Sequence, residues 1–77
     1  MSLSESIMLT RQKLLLNQTE FALLLHVSLA TVSRWEIGKS IPNLTAMKSM
    51  KALCEEKGLP YEVIEKEWLA ARLAARR

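Results

Sequence analysis

Three observations predict an all-α fold, a compact bundle of five short helices. Leu and Ala, which both favour helix, supply 22 of the 77 residues, whereas the β-branched Val, Ile and Thr together number only 11. Gly and Pro total four and divide the chain into segments of helical length. No Asn-Gly turn and no sustained alternation of apolar and polar residues indicates a strand. The length fits one domain over residues 1–77.

The first helix is predicted from about Ser4 to Leu15. Leu3, Ile7 and Leu14 recur at helical spacing, and Leu15 is expected on the same apolar side.

The second helix is predicted to begin after Asn17, a residue that favours the N-cap position. Glu20 stands three residues later, where a capping box places its acidic partner. The helix is expected to bury Phe21, Ala22 and Leu25.

The third helix is predicted to follow Ser28, another favourable N-cap residue, and to end near Gly38. Val32 and Trp35 are three residues apart, so they fall on one side of it and are expected in the core. A three-residue break over 26–28 separates it from the second helix.

The fourth helix is predicted from just after Asn43 to about Lys57, where Gly58 ends it. Met50 and Cys54 are four residues apart on its apolar side and are expected in the core.

The fifth helix is predicted over residues 61–75, with Ile64 and Trp68 packed on the fourth helix. Leu69 and Leu73 are four residues apart and lie partly off that apolar stripe. An exposed apolar strip on a small domain is typical of a contact with a symmetric partner. We therefore expect a homodimer through the fifth helix and the loop before it, with Leu69 and Leu73 in the interface.

The composition excludes several functional classes. His26 and Cys54 are the only His and Cys, and there is no Asp. A zinc site of the usual Cys/His count, a disulfide within the chain and an assembled nucleophile–base pair are therefore not expected. We expect no enzyme activity and no metal or cofactor. No apolar run approaches the roughly 20 residues of a membrane span, and a single Cys is compatible with a reducing cytoplasm.

Charge is unevenly distributed along the chain. Residues 1–51 have a net charge of +3, residues 52–67 a net charge of −3, and residues 68–77 a net charge of +3. A basic N-terminal two-thirds beside an acidic segment favours one face that binds a polyanion.

The segment 18–42 contains the run V-S-x-x-T-V-S-R-W-E-x-G-K-x-x-P. With Arg11, Gln18 and Leu53 it resembles the helix-turn-helix domain of the lambda-repressor-like, Xre/Cro type, over residues 5–57. The resemblance implies a five-helix bundle of that DNA-binding type. It also implies a sequence-specific, repressor-like transcriptional regulator that binds duplex DNA, at a palindromic operator, as a dimer. The third helix, over about 28–36, would be the recognition helix in the major groove.

The resemblance also assigns site residues. The positions that would read bases are Ser28, Leu29, Ala30, Thr31 and Arg34. The positions that would hold phosphates are Gln18, Ser33, Lys39, Ser40 and Asn43. Arg34 is the candidate for a bidentate contact to guanine, and Ala30 and Thr31 are candidates for contact with a thymine methyl. Leu29 is less polar than usual at its position, which indicates either thymine methyls or a protein partner.

The sequence departs from the family pattern at two positions, and the same pattern implies one ion pair. His26 and Leu15 stand where the family often has Gly. The position of His26 tends to need a left-handed backbone. At Leu15, either the first turn is built differently or the first helix continues for a few residues. Recurrent Arg and Glu at these places in the family imply an ion pair between Arg11 and Glu36.

Other functions remain open from the sequence. An antitoxin of a toxin–antitoxin pair, with the toxin as protein partner, or a restriction controller protein would have the same size and fold. A helical protein-interaction module that has lost DNA binding is the alternative from another class, and Leu29, Ala30 and the low charge of the recognition face favour it slightly.

Overall fold

The computed structural model describes residues 1–76, and within them the chain forms five α-helices and no strand. The helices are α1 (Leu3–Lys13), α2 (Gln18–Leu25), α3 (Leu29–Glu36), α4 (Leu44–Lys57) and α5 (Glu62–Ala75). The all-α prediction and its five helices are therefore confirmed. Arg77, part of the basic C-terminal group, lies outside the described residues.

The helices begin and end largely where the capping residues predict. Asn17 and Glu20 form a complete capping box at α2. The side chains of Ser28 and Asn43 accept hydrogen bonds from the first turns of α3 and α4. Gly58 ends α4 in the left-handed conformation (φ +70°) that glycine adopts without steric cost.

The predicted end of α1 is wrong. The helix ends at Lys13, with Leu14 at the C-cap, and Leu15 takes a left-handed conformation (φ +59°). Of the two alternatives at Leu15, a first helix that continues for a few residues is therefore wrong. Leu15 itself adopts the left-handed conformation that glycine usually supplies at the end of a helix. Leu15 is also 91% exposed, so its expected place on the apolar side is wrong as well.

The core lies between all five helices and consists mainly of aliphatic and methionine side chains around Phe21 and two tryptophans. Helix α2 packs against α3 and α4, and α1 packs against α3 and α5. The backbone of α5 lies closer to α1 than to α4. Ile64 and Trp68 nevertheless join the same core as Met50 and Cys54.

In the part of the chain that the structure describes, no helix has both the length and the apolar character needed to cross a membrane.

Candidate nucleic-acid interface

The corner between α2 and α3 is a tight left-handed turn. His26 has φ +60° and ψ +40°, and its backbone N–H donates to carbonyls at the end of α2. The N–H of Val27 donates to the carbonyl of Ala22 at 3.0 Å, so the last turn of α2 is closed. The prediction that His26 is a turn residue in the left-handed region is confirmed. The half-buried Val27 packs against the core beneath this corner.

Helix α3 packs on the core along one side and leaves its other side open to solvent. Val32 and Trp35 are buried and fix the helix on the core, as the sequence predicts. Ala30 and Arg34 are exposed on the opposite side, and Ser33 is half-buried beside them. A short helix anchored along one side and exposed along the other has the shape needed to enter a groove about 12 Å wide.

The N-terminus of α3 is held by a pair of hydroxyl groups. Ser28 Oγ accepts from the backbone N–H of Thr31 at 3.1 Å, and it lies 2.7 Å from Thr31 Oγ1. Either hydroxyl can donate across that pair, so one of the two O–H donors is already used within the cap. Leu29 follows directly as the first residue of the helix and is 48% exposed.

The C-terminus of α3 is held by an ion-pair network. Arg11 Nε donates to Glu36 Oε2 at 2.7 Å, and Arg11 Nη2 donates to Glu36 Oε1 at 2.9 Å, so the contact is bidentate. The implied pair of Arg11 and Glu36 is confirmed. Arg11 Nη1 also donates to the carbonyl of Leu16 at 2.9 Å. Gln18 Nε2 donates to Glu36 Oε1 at 3.1 Å, which the sequence did not predict.

The network sets the ionisation of its members. Burial opposes the charged form of Glu36, but hydrogen bonds from Arg11 and Gln18, with the attraction of the guanidinium, outweigh it and lower the pKa of the carboxyl. The hydrogen bond to Glu36 raises the pKa of Arg11. The two charges therefore stay paired at neutral pH, and α1, the start of α2 and the end of α3 are joined at one point.

Five of the predicted site residues line one shallow groove beside α3: Ser28, Thr31, Arg34, Ser40 and Asn43. The other predicted residues lie around it. Leu29 and Ala30 are exposed at the start of α3, and Lys39 is exposed just after its end. Gln18 is half-buried at the start of α2, where its amide contacts Glu36.

The loop from α3 to α4 is fixed by three hydrogen bonds that sequence reasoning missed. The N–H groups of Lys39 and Ser40 donate to the carbonyl of Arg34, at 2.9 and 3.4 Å. Trp68 Nε1 of α5 donates to the carbonyl of Pro42 at 2.7 Å in a buried hydrogen bond. No local pattern indicates the bond from Trp68 to Pro42, because its partners are 26 residues apart.

Helix α5 also has an open side, where Leu69 is 55% and Leu73 61% exposed. Arg72 lies beside them with its guanidinium carbon 4.7 Å from the centre of the Trp68 ring, a cation–π contact. Among the described residues no group of three or more His, Cys, Asp and Glu side chains is placed to hold a metal ion.

Two helices joined by a tight turn, with the second one anchored on the core and open along its other side, define a helix-turn-helix DNA-binding domain. A family model described as helix-turn-helix matches residues 7–54, more than half of the chain. The chain therefore belongs to this family, the lambda-repressor-like helix-turn-helix domains of Xre/Cro type. No curated protein and no solved structure matches the chain significantly.

Proposed function

We propose that the chain is a sequence-specific regulator of transcription that acts in the cytoplasm as a repressor-like homodimer on a palindromic operator. The observation that supports this most directly is the open side of α3. Its buried side chains and the network at Glu36 fix the helix, while Ala30 and Arg34 point away from the core. In this proposal α3 lies in the major groove, and Arg34 donates two hydrogen bonds to a guanine.

Phosphate contacts are proposed at both flanks of α3. Asn43 uses its side-chain oxygen to cap α4, accepting from Ala46 at 2.8 Å, so its NH₂ group remains to donate. Gln18 directs one amide proton to Glu36, and its second remains for a phosphate at the start of α2. The exposed Lys39, with Ser33 and Ser40, completes the set. Such contacts orient the protein, while the base contacts supply specificity.

The homodimer is proposed through the outward face of α5. Glu62 and Glu65 lie in its first turn and Arg72 in its last, and Leu69 lies between them on the same face. An antiparallel pair of these helices would set the acidic end of one against the basic end of the other around a shared apolar centre.

DNA binding is tested by titrating salt against a random duplex pool and against the sequences that the pool yields on selection. Log affinity should fall linearly with log salt, and the selected site should contain two related half-sites about one helical turn apart. Arg34→Ala should lose ~1–3 kcal/mol at one base pair and relax specificity there. Lys39→Ala should weaken all sequences alike and reduce the salt slope by about one contact.

Lys57→Ala is the matched control, because Lys57 lies at the opposite end of α4 from Asn43. It should leave both the salt slope and the selected sequence unchanged. If the protein ignores duplex DNA at low salt, the proposal is wrong.

The dimer is tested by sedimentation with Leu69→Glu. This variant should remain monomeric at tens of micromolar and bind the operator more weakly than the wild type. Val63→Glu is the control, since Val63 is an exposed apolar residue of the same helix that lines the groove towards α1 instead. A wild-type chain that is monomeric with and without DNA would overturn the dimer.

A protein-interaction module is the second candidate. The exposure of Leu29 and of Leu23, which is 71% exposed on α2, favours it. It predicts the opposite result in the salt titration, with no affinity for duplex DNA at any salt concentration.

A further inference from the structure

The open side of α3 has an unusual chemical composition. Arg34 is its only charged side chain, because the other charged residue of α3, Glu36, is half-buried and paired with Arg11. Helix α3 contains no Asn or Gln to pair with adenine, and no exposed carboxylate to accept from the amino group of cytosine. Arg34 can read a guanine, so the remaining discrimination by α3 must come from its hydroxyl and apolar groups.

The hydroxyl groups at the start of α3 are largely committed to the protein. Ser28 Oγ accepts the N–H of Thr31 and is hydrogen-bonded to Thr31 Oγ1. One O–H donor remains for the pair, and a hydroxyl pairs with several bases, so it discriminates weakly. The first two residues of the helix proper, Leu29 and Ala30, are both exposed and apolar.

An apolar side chain in the major groove can recognise only one feature of the four ordinary bases. Thymine presents a methyl group on C5, whereas adenine, guanine and cytosine present only hydrogen-bonding atoms and ring carbons there. Leu29 is 48% exposed in the free protein and therefore has apolar surface left to bury against such a group. The hydroxyl cap fixes the turn from which it projects.

We propose that Leu29 reads the C5-methyl group of a pyrimidine in each half-site. The site therefore takes 5-methylcytosine as well as thymine, because both bases bear the methyl group on the same ring carbon. This inference rests on the proposed function, and it adds the chemical class of base that the start of α3 accepts. Methylation of a cytosine at that position would then strengthen binding.

The experiment uses the full chain and a duplex selected from a random pool. Deoxyuridine replaces thymine at one position at a time, which removes the methyl group and leaves the hydrogen-bonding pattern of the base unchanged. At one position of each half-site the affinity should fall about fourfold, the value expected for burying one methyl-sized group. At the same position, 5-methylcytosine opposite guanine should bind about fourfold more tightly than cytosine opposite guanine.

Leu29→Ala assigns the effect to this residue, and Ala is well tolerated in a helix. The variant should bind the thymine and deoxyuridine duplexes equally. Leu44→Ala is a matched control, because Leu44 is likewise the first residue of a capped helix and is 57% exposed. It should retain the full discrimination between thymine and deoxyuridine.

Three results would overturn the inference: equal affinity for deoxyuridine at every position, an undiminished deoxyuridine penalty in Leu29→Ala, or a selected half-site without thymine. Salt-dependent binding to the selected duplex would survive each of them. Failure of the inference is thus distinguishable from failure of the proposed function, in which no duplex is retained at low salt.

Discussion

Helices α3 and α5 are built alike on one side and differently at their ends. Each anchors itself with one aliphatic and one tryptophan side chain, Val32 with Trp35 in α3 and Ile64 with Trp68 in α5. Helix α3 is then fixed at both ends, by the Ser28 cap and by the network at Glu36. Helix α5 begins without a side-chain cap, and its second half presents exposed leucines.

The difference teaches what each open side is suited to. Reading base edges needs a helix whose position is fixed before the ligand arrives, and α3 has that property from eight residues and a few hydrogen bonds. The open side of α5 holds two large exposed apolar side chains, Leu69 and Leu73, which suit the proposed contact with a second copy. Contacts within the chain hold both ends of α3, whereas the second half of α5 leaves Leu69 and Leu73 exposed.

Arg11→Met should have the largest effect on stability. The variant leaves the part-buried carboxylate of Glu36 without its bidentate partner, and an unpaired charged acceptor of this kind costs ~2–3 kcal/mol. Urea unfolding measures the loss. The double variant Arg11→Met with Glu36→Leu removes both charges and should recover most of the stability. If the unfolding free energy of Arg11→Met lies within ~0.5 kcal/mol of the wild type, the range of neutral surface changes, the network does not stabilise the end of α3. The contrast drawn between α3 and α5 would then be wrong.

Trp68→Phe should have the second-largest effect on stability, and it changes the contact between α5 and the loop before α4. It removes the indole N–H that donates to the buried carbonyl of Pro42 and shrinks the side chain, for a loss of about 2 kcal/mol. Hydrogen exchange should quicken in the loop at residues 39–41 and stay unchanged in α2. Equal acceleration in both would mean that the bond holds the whole core and has no special effect on the loop.

Leu15→Gly should raise stability by a smaller amount. A left-handed backbone costs an ordinary residue ~1–2 kcal/mol, and glycine avoids this at an entropic cost of ~0.5–1 kcal/mol. Because Leu15 is almost fully exposed, little buried surface is lost. We expect a gain of about 0.5–1 kcal/mol in the free energy of unfolding. Lys13→Gly is the control, since Lys13 is exposed and lies in the right-handed backbone of α1, and it should destabilise the protein.

The smallest effect should be a pH dependence at the end of α3. The pKa of Glu36 is lowered in the folded protein, so its stabilising contribution is full above the pKa of the unfolded chain, about 4.3. It is lost as the pH falls through the folded pKa. Unfolding free energy measured from pH 6 down to about pH 2 should therefore fall less steeply in Glu36→Gln than in the wild type. Equal slopes would show that Glu36 titrates normally.

Sequence reasoning predicted the helices well where the signal was local. The caps at Asn17, Ser28 and Asn43 and the stop at Gly58 depend on residues within one turn of each other, so they could be read directly. The end of α1 could not, because Leu15 adopts a backbone conformation that its residue type disfavours.

The candidate site was predictable in outline only. The resemblance implied the pairing of Arg11 with Glu36, and the structure confirms it. The contact of Gln18 with Glu36 and the bond from Trp68 to Pro42 join residues 18 and 26 positions apart. Such contacts depend on how the helices assemble, which no spacing pattern reports. The roles of individual residues toward DNA stay predictions, since they depend on a ligand.

The bond from Trp68 to Pro42 has a consequence for the geometry of any assembly. Pro42 lies between Ser40 and Asn43, so the loop that flanks α3 is fastened to α5 by a buried hydrogen bond. In a pair of copies joined along α5, this hydrogen bond would hold the loop beside α3 at a fixed position relative to α5. In the proposed homodimer, the angle at which the two α5 helices cross would then set the distance between the two copies of α3. That fixed distance would select the separation of the two half-sites in the DNA.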